Sequence, residues 1–135
     1  MSKSALYVAN TSNQTVQVDG VINPGTIVRR YGPNIGLAGN AIQIVGAGYY
    51  DIDASITVAP TAEGEVTVTA YKDGVIIQGA TATETAAAAG DNVNLSISAI
   101  VREFCSCCDG LSNLTFVLTG TESTVTNIAI TVEKL

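Results

Sequence analysis

Apolar and polar residues alternate along most of this chain, and this alternation limits its possible folds more than any other feature. In the segment Gly48–Val58, the apolar residues occupy one parity while acids and hydroxyls occupy the other. Successive side chains of a strand point to opposite faces of a sheet, so the pattern predicts a half-buried strand. The same period predicts further strands at Ala5–Ala9, Thr15–Val18, Ile27–Arg29, Ala41–Ile44, Val66–Ala70, Val93–Val101, Leu114–Leu118 and Ile128–Val132.

Turn-forming residues separate these segments at regular intervals. They stand at Asp19-Gly20, Asn23-Pro24-Gly25, Gly32-Pro33-Asn34, Asp73-Gly74, Gly90-Asp91-Asn92 and Asp109-Gly110. Many short strands punctuated in this way are typical of a sandwich or barrel. At 135 residues the chain has the usual size of one domain. We therefore predict one antiparallel all-β domain over residues 1–135, with about eight to ten strands. A jelly roll, another Greek-key sandwich and a closed barrel all fit this pattern.

Two local segments carry more detailed predictions. Asp73-Gly74 lies between two β-favouring runs, which predicts a two-residue hairpin turn with positive φ at both positions. The segment Ala82–Ala89 is rich in alanine but short, and it has no amphipathic stripe. We predict a loop or a strand of small residues there, with a single helical turn as the alternative.

Charged residues are sparse for a chain of this kind. Apolar residues make up 47% of the sequence and charged residues 13%, against about 25% in an average domain. A folded domain with so few charges is expected to bury part of its surface against other subunits. The alternative is a monomer whose surface is hydrated by its many Thr, Ser and Asn side chains.

The net charge and the termini exclude several classes of partner. A net charge of −6 repels phosphate backbones, so we expect no nucleic-acid partner. No apolar run reaches the roughly 18 residues that a membrane-spanning helix needs. The start of the sequence lacks the apolar stretch of a signal peptide, which predicts synthesis in the cytoplasm. Exposure to the exterior would then follow cell lysis, as for a virus particle.

The sequence offers little for catalysis. It contains no histidine, which excludes triads that use one as the base. Asp51 and Asp53 share one face of a predicted strand and are a candidate carboxylate pair, or a candidate calcium site. The commoner interpretation is a pair of solvent-facing or interfacial side chains. We therefore predict no enzyme, no catalytic residue and no cofactor.

All three cysteines fall within the segment Phe104–Gly110, at Cys105, Cys107 and Cys108. A metal site there would need Asp109 or a thiolate of another subunit as its fourth ligand. A disulfide between cysteines this close has awkward geometry, whereas bridges between subunits are easier to form. Reduced, structural thiols are the third interpretation, and we expect no bound metal.

The segment Asn40–Ile52 carries a family resemblance. A short strand, a turn and the motif Gly48-x-Tyr50-x-Ile52 resemble tumour-necrosis-factor-like and complement C-one-q-like jelly-roll domains. The order of the later strands agrees with that family over nearly the whole chain. The segment Gly25–Gly32 and the cysteine-rich segment also resemble short proteins of phages and prophages of gut Firmicutes.

These resemblances imply a homotrimer that buries aromatic and aliphatic side chains along its threefold axis. Our candidates for the subunit interface are Tyr50, Ile52, Ile100, Phe116 and Ile130. The implied function is a structural virion protein of a phage, in capsid decoration, the neck or a fibre, with other virion proteins as partners.

The alternative function is host attachment through a receptor- or carbohydrate-binding head. Its partner would be a glycan or protein of the host surface. In that case Tyr31, Tyr49 and Tyr71 are the candidate stacking residues.

Overall fold

The computed structural model describes residues 3–103 and 111–135 as a set of antiparallel strands. The strands in chain order are β1 (Ala5–Asn10), β2 (Gln14–Val16), β3 (Gly20–Val21), β4 (Thr26–Tyr31), β5 (Ile35–Ala38), β6 (Ala41–Val45), β7 (Gly48–Pro60), β8 (Gly64–Lys72), β9 (Val75–Ala86), β10 (Val93–Glu103), β11 (Leu111–Thr119) and β12 (Ser123–Lys134). No segment of the described ranges is helical.

The strands form two sheets of six. Sheet A has the order β10-β7-β12-β1-β4, with β2 paired to β12, and sheet B has the order β5-β6-β11-β8-β9, with β3 paired to β11. Neighbours in a sheet are mostly distant in sequence, because the chain crosses repeatedly from one sheet to the other. This arrangement confirms the predicted all-β jelly-roll sandwich.

The inward faces of both sheets form one apolar core. In β7 the side chains of Tyr50, Ile52 and Ile56 are completely buried, while the residues between them face outward. Sheet B contributes Phe116, which is 2% exposed, and the other inward side chains of its strands to the same core. The core therefore follows from the two-residue alternation that predicted the strands.

The hairpin between β8 and β9 has the predicted turn. Asp73 has a φ of 52° and Gly74 a φ of 80°, so both central residues adopt positive φ. Strand β9 then runs through Ala86, which confirms the small-residue strand over most of Ala82–Ala89. The sequence pattern missed β5, because its four residues include Gly36 and carry too short an alternation to recognise.

Candidate functional site

Four of the five interface candidates lie inside the sandwich. Tyr50 and Ile52 are 0% exposed, Phe116 is 2% exposed and Ile130 is 1% exposed. A side chain that is already buried between the sheets has no surface left for another subunit, so these four predictions were wrong. Alternation identifies two faces of a strand, and the larger apolar residues belong to the face that fills the core. Only Ile100, which is 60% exposed on the outward side of β10, remains available for an interface.

Ile100 is one of four exposed apolar side chains that we call the apolar edge: Tyr49 and Ile100 on the outward parity of β7 and β10, and Val75 and Ile76 at the start of β9. Val75 is 69% exposed and Ile76 is 57% exposed at the start of β9. The Arg102 guanidinium lies 5.7 Å from the centre of the Tyr49 ring. Val75, Ile76 and Arg102 line one hollow of about 400 Å³ where the edges of the two sheets meet. Exposed apolar groups gathered in this way are typical of an interaction surface.

The middle of the outward face of sheet A carries short side chains. Asn94 Nδ2 donates hydrogen bonds to Ser55 Oγ and to Thr57 Oγ1, each at 3.2 Å. Ser98 Oγ donates to Asp53 Oδ1 at 2.7 Å. Beside these groups lies a shallow hollow of about 280 Å³, lined by Asp53, Ala54, Ser55, Ser96, Ile97, Ser98, Ala129 and Thr131. Short side chains with satisfied hydrogen bonds allow the backbone of another molecule to approach this face closely.

Asp51 and Asp53 share this face, as the strand period predicts. Asp53 accepts the hydrogen bond from Ser98, and Asp51 stands opposite Glu133 in the register of β7 and β12. Like charges directly opposite each other are unfavourable in a sheet. The two aspartates therefore lie on the outward surface of sheet A, where Asp53 is hydrogen-bonded to Ser98, and the candidate carboxylate pair stays a prediction.

The cysteine-based interpretations fall outside the described ranges. Cys105, Cys107, Cys108 and Asp109 all lie in the segment 104–110, so the metal, disulfide and free-thiol alternatives stay predictions. Within residues 3–103 and 111–135, no three side chains of the metal-binding types come together. The same ranges contain no helix long and apolar enough to cross a membrane.

A buried polar cluster stands at the end of the sandwich where β10 stops. Glu103 is 7% exposed and Ser112 is 2% exposed, and Ser112 Oγ donates a hydrogen bond to Glu103 Oε2. The Tyr50 hydroxyl lies within hydrogen-bond distance of the carbonyl oxygens of Gly46, at 2.8 Å, and Val45, at 3.1 Å. These contacts hold the crossover from β6 in sheet B to β7 in sheet A.

The sequence contained a signal for this cluster. Glu103 has the same parity as Leu95, Ile97 and Val101 in β10, all of which face the core. That parity predicts an inward carboxylate, and a carboxylate buried in this way needs a donor such as Ser112.

Burial, and secondarily the charge of Glu103, raises the pKa of the Tyr50 hydroxyl above its ordinary value. Above about pH 10 the unfolded chain loses the Tyr50 proton while the folded chain keeps it. The folded state then binds more protons, so the free energy of unfolding falls as pH rises through this range. We expect urea unfolding to show this loss between pH 9 and pH 11. The loss should be smaller in Tyr50→Phe, which should also be about 0.5–1.5 kcal/mol less stable at neutral pH.

The control for this experiment is Tyr31→Phe, because Tyr31 is 65% exposed. Its alkaline loss of stability should match that of the unmodified protein. An equally steep loss in Tyr50→Phe would contradict the assignment of the effect to Tyr50.

The three tyrosines that we predicted for stacking differ in exposure. Tyr31 is 65% exposed, Tyr49 is 52% exposed and Tyr71 is half-buried. Tyr31 lies beside Tyr7 in a second hollow on sheet A, far from the apolar edge, with a volume of about 210 Å³. The structure therefore leaves Tyr31 and Tyr49 available for contacts with a partner, at opposite sides of the sheet.

Comparison with known proteins identifies the fold. No protein-family model matches the sequence, and no curated protein matches it either. Among solved structures, murine APRIL has a TM-score of 0.74 at 8% identity, covering 99% of this chain and 100% of that chain. Eiger TNF from S. frugiperda has a TM-score of 0.71 at 14% identity, covering 98% of this chain and 91% of that chain. The PRD1 vertex protein P5 has a TM-score of 0.64 at 17% identity, covering 98% of this chain and 96% of that chain.

These similarities establish a tumour-necrosis-factor-like jelly roll. At such low identities they concern the fold alone.

Proposed function

We propose that this chain is a non-enzymatic structural protein that assembles as a homotrimer in a phage particle. The single observation that carries the proposal is the apolar edge, where Ile100, Val75 and Ile76 are each more than half exposed. Burial of such side chains contributes about 25 cal/mol for each Å² of apolar surface removed from water. A second copy of the chain offers a surface of short side chains in the middle of the outward face of sheet A, around Ser55, Ser96 and Ser98.

The strand edges of the sandwich support contact at β10. Strand β5 has only four residues, and both β4 and β9 have irregular register with their neighbours. Short strands and bulges protect edges from pairing with other molecules. Strand β10 has eleven residues in unbroken register with β7, from Val93 to Glu103, and ends sheet A on the side of the apolar edge. The longest regular edge is thus the one next to the exposed apolar residues.

An edge packed on a face is a contact between two different surfaces. Such a heterologous contact closes into a ring when the rotation between neighbouring subunits is a whole fraction of a full turn, and it generates an open filament otherwise. Three copies, each placing its apolar edge on the outward face of sheet A of the next, form a closed trimer when that rotation is one third of a turn. This arrangement also accounts for the low fraction of charged residues, since both surfaces become buried.

The placement in a phage particle rests on the resemblance to phage proteins and on the fold shared with the PRD1 vertex protein P5. Capsid decoration, the neck and a fibre are the candidate positions, each with another virion protein as the anchor. The expected location is the virion, reaching the cell exterior after lysis.

Light scattering coupled to size-exclusion chromatography tests the oligomer. The expected mass is three times the 13.8 kDa of the chain, and a stable monomer at micromolar concentration would refute the trimer. Immunoblotting of purified particles tests the location. Co-purification of the chain with particles supports the virion proposal, whereas its absence from particles contradicts it.

A second candidate function is recognition of a carbohydrate or protein on the host surface. The exposed Tyr31, seated in its own hollow beside Tyr7, favours this function, because tyrosine supplies an apolar face together with a polar hydroxyl. A glycan array with the purified protein separates the two candidates. Specific sugar binding favours recognition, and particle association without any sugar binding favours the structural role.

A further inference from the structure

The hollow beside Tyr31 lies at the edge of sheet A opposite the apolar edge. We call it the tyrosine groove and define it by Tyr7, Arg29, Tyr31, Thr131 and Glu133. The register of the sheet brings these residues together, because Tyr7 of β1 pairs with Arg29 of β4 and with Thr131 of β12. In the next row Ala5 pairs with both Tyr31 and Glu133. Three strands thus form the groove, and its side chains all project from the outward face of sheet A.

The groove combines apolar surface with donors and acceptors of hydrogen bonds. Tyr7 and Tyr31 supply aromatic rings, Glu133 supplies carboxylate oxygens and Thr131 supplies a hydroxyl. Arg29 Nη1 donates to the carbonyl oxygen of Val28 at 3.1 Å. Among the described residues this is the hydrogen bond that the Arg29 side chain makes, and the remaining guanidinium donors are available to a ligand.

The volume and charge of the groove limit the ligand. About 210 Å³ is less than the roughly 300–1,000 Å³ of pockets for drug-sized ligands, so the groove accommodates one ring and no more. Arg29, Arg30 and Glu133 line it, but Arg30 Nε donates to the carbonyl oxygen of Ile35 at 2.9 Å, so its guanidinium is held by the chain itself. The charges of Arg29 and Glu133 then balance, and the chain as a whole carries −6. This balance favours a neutral ligand over a phosphate or another strongly anionic group.

We propose that the tyrosine groove binds a single neutral pyranose residue, as the terminal sugar of a surface glycan. A pyranose has an apolar face of C–H groups that stacks on a tyrosine ring, and hydroxyls that both donate and accept hydrogen bonds. Arg29 donates to these hydroxyls and Glu133 accepts from them. This inference rests on the second candidate function and assigns it a site and a class of ligand.

Saturation-transfer NMR tests the groove. The probes are the methyl glycosides of glucose, galactose and N-acetylglucosamine, with glucuronic acid as the anionic comparison, each at millimolar concentration. We expect transfer to at least one neutral glycoside, stronger than transfer to glucuronic acid. Tyr31→Ala and Arg29→Ala should each weaken that binding about tenfold or more, which corresponds to about 1.4 kcal/mol.

Val21→Ala is the control, because Val21 is exposed on sheet B and lies outside the tyrosine groove and the apolar edge. Tyr49→Ala tests the other exposed stacking candidate, at the other side of sheet A. Binding that survives both groove substitutions and is lost in Tyr49→Ala would overturn the groove while leaving sugar recognition in place. No transfer to any probe, together with a negative glycan array, would overturn both. Circular dichroism and mass measurement on the same samples show that each variant is folded and assembled.

Discussion

Ile100→Asp is expected to convert the proposed trimer into a folded monomer of 13.8 kDa. Ile100 is 60% exposed in the single chain, so an aspartate there remains hydrated. Its register partner is Asp51, and this like-charge pair costs about 0.2–1 kcal/mol, too little to unfold the sandwich. In the proposed trimer the same side chain is buried against the next subunit. A charge buried there without a partner costs about 3–5 kcal/mol at each contact. Light scattering coupled to size-exclusion chromatography measures the change directly.

Val21→Asp is the control for this substitution. Val21 is an exposed valine at 42%, but it lies in β3 on sheet B, away from the apolar edge. We expect this variant to remain a trimer with an unchanged far-ultraviolet circular dichroism spectrum. A trimer that persists in Ile100→Asp at micromolar concentration would show that the apolar edge does not form the subunit contact.

Most of the strands could be predicted because the alternation of apolar and polar residues within a strand shows which of its faces is buried. The alternation in β7 predicts an inward and an outward face without any knowledge of the rest of the chain. Asp73 and Gly74 likewise determine their turn through local backbone preference, and the structure has positive φ at both. Strand β5 could not be predicted, because its four residues include a glycine and are too few to show the alternation.

The surface was harder to predict than the strands. The family resemblance predicts Tyr50 and Phe116 as interface residues, because large apolar side chains are common both in cores and in interfaces. Only the packing of the two sheets distinguishes a core residue from an interface residue, since it shows which face of each strand is already buried. Ile100 differs from Tyr50 in this one respect, because its face of β10 carries Ser98 and Arg102 instead of further apolar residues. An isolated large apolar residue on a polar parity is therefore the signal to search for.

The tyrosine groove illustrates a second limit on what the sequence alone can predict. Tyr7, Arg29 and Glu133 are distant in sequence and meet only because β4, β1 and β12 are neighbours in sheet A. Each strand was predictable alone, but their order in the sheet was not, because strands of a jelly roll pair mostly with partners far along the chain. Long-range pairing thus determines which side chains share a site, while local alternation determines only which face they occupy.

Phe116→Ala is expected to lower the free energy of unfolding by about 3–5 kcal/mol, because it removes a buried ring and leaves a cavity between the sheets. A domain of this size has a total of about 5–15 kcal/mol, so the loss is a large part of its stability. Urea unfolding should be measured at one fixed protein concentration, because the stability of an assembly depends on concentration. Phe116→Leu, with a smaller loss, keeps the test valid if the alanine variant fails to fold.

The matched control is Val21→Ala, which truncates an exposed side chain and should change stability by no more than about 0.5 kcal/mol. The pair also separates a core role from an interface role for Phe116. If Phe116 fills the core, Phe116→Leu lowers stability while the mass stays that of the unmodified protein. A lower mass with unchanged stability of the single chain would instead place the ring in a subunit contact, against the burial that the two packed sheets give it.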